Sequence, residues 1–178
     1  MERVTGRYPT LPLASSRNPA GFRFRAIIAA LVTAEKQRRV LVPVNGSELD
    51  EEMVRLAAVT AKRISAQLII VYVIVVKRTL PLDVTQDDEV TKAEQVVDLA
   101  ERTAATFEVE YTSEILQARA TGPAIVDEAV ERDVDLIVMG VTYRKRFGEF
   151  YLGQTTPYVL KNAPCRVWVA REANAAAG

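Results

Sequence analysis

Histidine is missing from the 178 residues, and cysteine occurs once, as Cys165. Such a set cannot build a Ser-His-Asp triad, a Cys2His2 zinc site or an internal disulfide. A lone thiol in an otherwise unstapled chain suits a reducing compartment, and a cytoplasmic location is the expectation. Long apolar runs are also missing. The longest, Leu68 to Val76, has the length of a strand and is far too short to span a bilayer. No Lys-Ser/Thr pair of the P-loop type follows a glycine-rich loop, so ATP hydrolysis has no recognisable machinery and no catalytic residue is assigned. Net charge is zero, with 23 basic and 23 acidic side chains, but the balance is uneven. Residues 1–39 carry eight basic and two acidic side chains, leaving a matching acidic excess on the remainder. That distribution argues against a nucleic-acid face on the domain itself.

What is present is a large apolar fraction, 49%, enough for one sizeable core. Three segments are expected: an extension over 1–37, a domain over 38–172 and a disordered tail over 173–178. Pro9, Pro12, Ser15, Ser16, Asn18 and Pro19 give the extension linker composition. Phe24, Ile27, Ile28 and Leu31 follow helical spacing beside Arg23 and Arg25, a short basic amphipathic helix. Three readings of it stand side by side: docking on the domain or in a dimer, contact of residues 22–39 with a membrane surface, or an organellar presequence.

From Arg39 onward strands and helices alternate. Val40 to Val44 reads as a buried strand that stops at Asn45-Gly46, after which Ser47 is expected to cap a helix with Met53, Leu56, Ala57, Thr60 and Ile64 inward. Leu68 to Val76 reads as a central strand covered on both faces. A loop over 77–88 leads to a helix with the stripe Val90, Ala93, Val97, Ala100 and Ala104. Phe107, Val109 and Tyr111 alternate with polar residues, a strand near the sheet margin. Thr121-Gly122-Pro123 opens a helix with Ile125, Val126, Ala129 and Val130 inward. Asp135 to Met139 is another buried strand, followed by the stretch Gly140 to Gly153, a helix to about Asn162 and a last strand, Cys165 to Ala170. The fold class is α/β, an open doubly wound five-stranded parallel sheet with helices on both faces, of Rossmann-like type. Ligands in such sheets bind beyond the strand C-termini where the strand order reverses, here the turns after Val44 and after Met139.

Four ordered stretches, VLVPVNGS (40–47), TGPAIVDEA (121–129), DLIVMG (135–140) and VLKNAPCRVWV (159–169), resemble the universal stress protein family over about Arg39 to Arg171. The resemblance implies the adenine nucleotide alpha hydrolase-like variant of the fold, and a regulatory or sensor module that binds ATP, AMP or a cyclic dinucleotide, with Mg accompanying ATP. ATP-binding members carry Gly-x2-Gly-x9-Gly-(Ser/Thr) after the fourth strand. Gly140 and Gly153 keep that frame, whereas Tyr143 stands at the second glycine and Gln154 at the Ser/Thr position. Asn45 stands where the family has Asp. The implied site places Val44, Asn45, Met139 and Gly140 around base and ribose, with Arg144, Gly153, Gln154 and Thr155 around phosphates and Tyr143 obstructing part of the cradle. Arg144, Lys145 and Arg146 could replace lost backbone donors with cationic ones. The alternative is a nucleotide-independent dimeric interaction module with a degenerate site.

Two further expectations follow from the resemblance. The last strand is expected to pair across a homodimer axis through Arg166 and Trp168; Cys165, by contrast, reads from its own alternation with Val167 and Val169 as filling core space. The basic lead-in is also similar to stress-protein domains appended to amino-acid or cation permeases. That likeness implies a membrane transporter as partner and a cytoplasmic, membrane-associated location.

Overall fold

The computed structural model describes residues 36–77, 79, 87–142, 145, 146 and 149–172. The amphipathic stripe of the extension, the loop before the second helix and the tail over 173–178 lie outside the described residues.

Strands β1 (Arg39–Val44) and β2 (Gln67–Val75) are parallel, and β2 pairs with β3 (Tyr111–Ala118) in unbroken register from Leu68 opposite Tyr111 to Val75 opposite Ala118. On the other side β1 pairs with β4 (Leu136–Val141), and β4 with β7 (Arg166–Arg171). The five-stranded sheet has the order β3-β2-β1-β4-β7 and is parallel throughout, as expected. The four helices are α1 (Asp50–Arg63), α2 (Asp87–Ala105), α3 (Thr121–Glu131) and α4 (Thr155–Asn162). Between β4 and α4 lies a small antiparallel pair not expected from the sequence, β5 (Lys145–Arg146) with β6 (Glu149–Phe150). Two-residue strands are too short to leave an alternation signal.

Successive residues of a strand face opposite sides, so the unbroken apolar runs of β1 and β2 feed two cores. Val40, Val42, Leu68, Ile70 and Val138 pack under α1 and α2. Leu41, Ile69, Val71, Ile137 and Met139 pack under α3 and α4. Alanines make close approach possible: Ala57, Ala58 and Ala61 of α1 and Ala93, Ala100 and Ala104 of α2 are all buried.

Several inward stripes are corrected. In α1, Leu56 is exposed and Thr60 only half-buried, while Val54, Ala58 and Ala61 join Met53 and Ala57 inside, and Ile64 just past the helix packs against the core as expected. Apart from Met53, the helix has turned small residues, rather than Leu56, against the sheet. In α3, Val130 is exposed and Glu128 is buried in its stead. The marginal strand begins at Tyr111 rather than Phe107, because Phe107 and Glu108 form a turn with Glu108 in the left-handed region, φ 52°. Two polar residues of β3 find side-chain partners outside the sheet, whereas the buried Thr112 hydroxyl has none among the described residues. Ser113 donates to Glu101 of α2, and Glu114 accepts from Arg132 at 2.5 Å.

Arg132 caps the end of α3 and binds both Glu114 and Glu128, while Arg39 Nη1 donates to its carbonyl oxygen at 2.6 Å. Burial works to lower the Arg132 pKa, but the two carboxylates outweigh it and the guanidinium is held above its ordinary value. Arg132→Ala leaves Glu128 buried without its counter-charge. A loss of about 3 kcal/mol is expected in urea unfolding, with Arg132→Lys recovering part of it.

Candidate functional site

The sheet order reverses beside β1: the chain leaves it for β2 and β3 on one side and returns for β4 and β7 on the other. Helical crossovers prevent the loops after β1 and β4 from covering the crevice between them. A cleft of about 390 Å³ opens there. Seven expected site residues line it: Val44, Asn45, Met139, Gly140, Gly153, Gln154 and Thr155. Tyr143 and Arg144 lie outside the described residues. Ser47, Asp50, Tyr72, Thr121, Thr142, Tyr151 and Thr156 line it as well and were not in the expected set. Thr156 carried a signal as a polar residue at the start of α4, and Tyr72 as the one phenol in an aliphatic strand. Asp50 carried one too, at the fourth position of the Ser47-x-x-Asp50 spacing of a capping box.

At the first turn the expected cap is corrected. The Ser47 hydroxyl does not accept from a free amide of α1; it donates to Asp50 Oδ1 at 2.6 Å. Asp50 Oδ2 gathers the amides instead, from Asn45 at 2.8 Å, Gly46 at 2.7 Å and Ser47 at 3.3 Å. Gly46, at φ +83°, turns these amides toward one point, a concavity of the kind that binds anions. A charged acceptor with three amides and a hydroxyl available competes better for them than a hydroxyl does.

The two frame glycines serve different ends. A Cβ at Gly140 would lie 2.9 Å from Met53 Cγ, so glycine there lets the floor of the cleft rest on α1. Gly153 has φ +72° and nothing within 4 Å of a Cβ position, so it serves the turn itself and leaves room beside it. No side chain caps α4, whose N-cap is Gln154, and the helix start carries partial positive charge from its free amides. Asp50 is the only carboxylate among the described lining residues, and none of them is cationic.

Elsewhere, Cys165 is half-buried and packs, with Val167, against the core under α3 and α4. Burial pushes its thiol pKa up, and the charge of Asp135 adds to the effect. Arg166 and Trp168 lie exposed on β7, the margin of the sheet, with Trp168 at 47%.

The sequence model of the universal stress protein family matches residues 36–171. The chain belongs to that family. A curated universal stress protein of Methanocaldococcus jannaschii is 26% identical over 141 residues, covering 76% of this chain and 82% of the relative. The structure of a universal stress protein from Lactobacillus plantarum is 28% identical, with a TM-score of 0.62, covering 75% of this chain and 97% of its own. The structure of an Archaeoglobus fulgidus universal stress protein in complex with dAMP is 23% identical, with a TM-score of 0.60, covering 74% and 96%. Among the described residues of this universal stress protein, no helix is long and apolar enough to cross a membrane. No group of three or more His, Cys, Asp or Glu is placed among them to hold a metal ion.

Two outcomes are expected of this site and its surroundings. Gly153→Ala forces a side chain into the left-handed region with no clash, a loss of about 1 kcal/mol in thermal unfolding. Cys165, with its raised pKa, alkylates with iodoacetamide at pH 8 at least about tenfold more slowly in the native protein than in urea, followed by mass spectrometry.

Proposed function

We propose that this universal stress protein is a regulatory module that binds an adenine nucleotide in the cleft and carries out no chemistry on it. The observation that carries the reading is the open turn at Gly153 beside the uncapped start of α4, which faces Val44 and Asn45 across the reversal point of the sheet. The cleft volume lies in the ordinary range for small-molecule sites, about 300–1,000 Å³. The dAMP complex of a relative with the same fold supports the same ligand class.

In this arrangement the apolar walls, Val44, Met139 and Ile125, take the base, and Asn45 can both donate to and accept from the base or ribose. The phosphate sits at Gly153, Gln154 and Thr155, where α4's free amides and dipole favour negative charge. Arg144 is the cationic candidate from the sequence. With ATP as ligand, Mg would arrive on the phosphates. Binding acts by stabilising the closed, folded domain, and a transporter or another membrane partner then reads its population.

The second reading, a nucleotide-independent dimeric interaction module, is favoured by β7. Four of its six residues are exposed, Trp168 and Val169 among them, and among the described residues no strand pairs with its outer edge, where a second copy could add. The two readings separate experimentally. Nucleotide extracted by heat from freshly purified protein, or a rise in melting temperature with ATP, ADP, AMP or a cyclic dinucleotide, supports the first. At a hundredfold excess of ligand over Kd the expected stabilisation is about 2.7 kcal/mol. No bound nucleotide and no thermal shift, together with a dimer in sedimentation that Trp168→Ala dissociates, would leave only the second.

A further inference from the structure

We propose that Asp50 sets the charge that the cleft accepts, acting as a built-in anion that disfavours ligands with two or three phosphate groups relative to one. The inference rests on the reading of the cleft as a nucleotide site and goes beyond it by naming the residue that selects among nucleotides.

The amides of Asn45, Gly46 and Ser47 converge because Gly46 takes a left-handed conformation, and three converging amides at the mouth of a cleft would ordinarily hold a phosphate or carboxylate from outside. Here all three donate to one oxygen of Asp50, and the Ser47 hydroxyl donates to the other. The first turn therefore offers none of these donors to a ligand and presents a fixed negative charge in their place. Asp50 is only partly buried and lines the cleft directly. No described lining residue carries a positive charge that would offset it.

The opposite wall has the reverse character. Gly153 and the start of α4 present free amides with open space beside them. The cleft is polarised: the wall at the start of α4 suits an anionic group and the wall at Asp50 opposes one. Each added phosphate brings charge into the field of Asp50 and finds no amide left at the first turn to compensate it.

The test uses two substitutions. Asp50→Asn keeps an acceptor oxygen in place and removes the charge, while Asp50→Ser also frees the amides; circular dichroism establishes that each is folded, and Asp50→Asn alone decides if Asp50→Ser is not. The first probe is inorganic pyrophosphate. It is expected to raise the melting temperature of the variants and not that of the unsubstituted protein, and the difference shrinks in high salt. The second probe is the ratio of ATP to AMP affinity by calorimetry. Removing the charge is expected to shift that ratio toward ATP by about fivefold.

Equal pyrophosphate responses in all folded proteins, or an unchanged ATP to AMP ratio, overturn the assignment. Absence of any nucleotide binding combined with a pyrophosphate response confined to the variants overturns the nucleotide reading while upholding the role of Asp50.

Discussion

A parallel pair of strands cannot be closed by a tight turn, and in this chain the central strands are apolar on both sides, so each must also be covered twice. One constraint thus dictates the rest. The crossovers have to be helices, the helices have to lie on both faces, and somewhere the chain has to change the side on which it adds strands. That change occurs at β1, between β2 and β4. The cleft is the gap that the reversal leaves open at the ends of the strands.

How the helices fill their places follows from size. Alanines at 57, 58 and 61 in α1 and at 93, 100 and 104 in α2 face inward. The bulky Val40, Val42, Leu68 and Ile70 come from the sheet side, so large residues meet small ones across the layer. This is also where the reading of the sequence was least sharp. Periodicity marked where α1 lies, but two faces of that helix, one with Leu56 and one with Val54 and Ala58, are both apolar. Only the tertiary contact chooses between them. Val130 lost its place for a different reason, since Glu128 is drawn inward by Arg132, a residue outside the stripe that the spacing defined.

The doubly wound parallel topology and the two turns that form the cleft were legible because they depend on runs of several apolar residues and on glycines with definite conformational needs. Gly153 behaves as the family frame implies, in a left-handed turn with space around it. Gly140 keeps its position for a reason that the frame did not contain, its contact with Met53. Ser47 and Asp50 illustrate a competition that spacing alone leaves open. Ser47 could accept from an amide of α1, yet Asp50 instead draws in the amides of Asn45, Gly46 and Ser47 ahead of the helix, an arrangement that depends on the path of a glycine turn that no local pattern encodes.

The contact between Gly140 and Met53 ties together parts of the cleft that are distant in sequence. Met53 lies one helical turn from Asp50, so the residue that props the floor and the residue that organises the rim belong to the same rigid cylinder. A displacement of the β4 backbone at Gly140 bears directly on that cylinder. The first turn would then tilt with it as a lever tilts with its handle, which makes floor and rim one mechanical body.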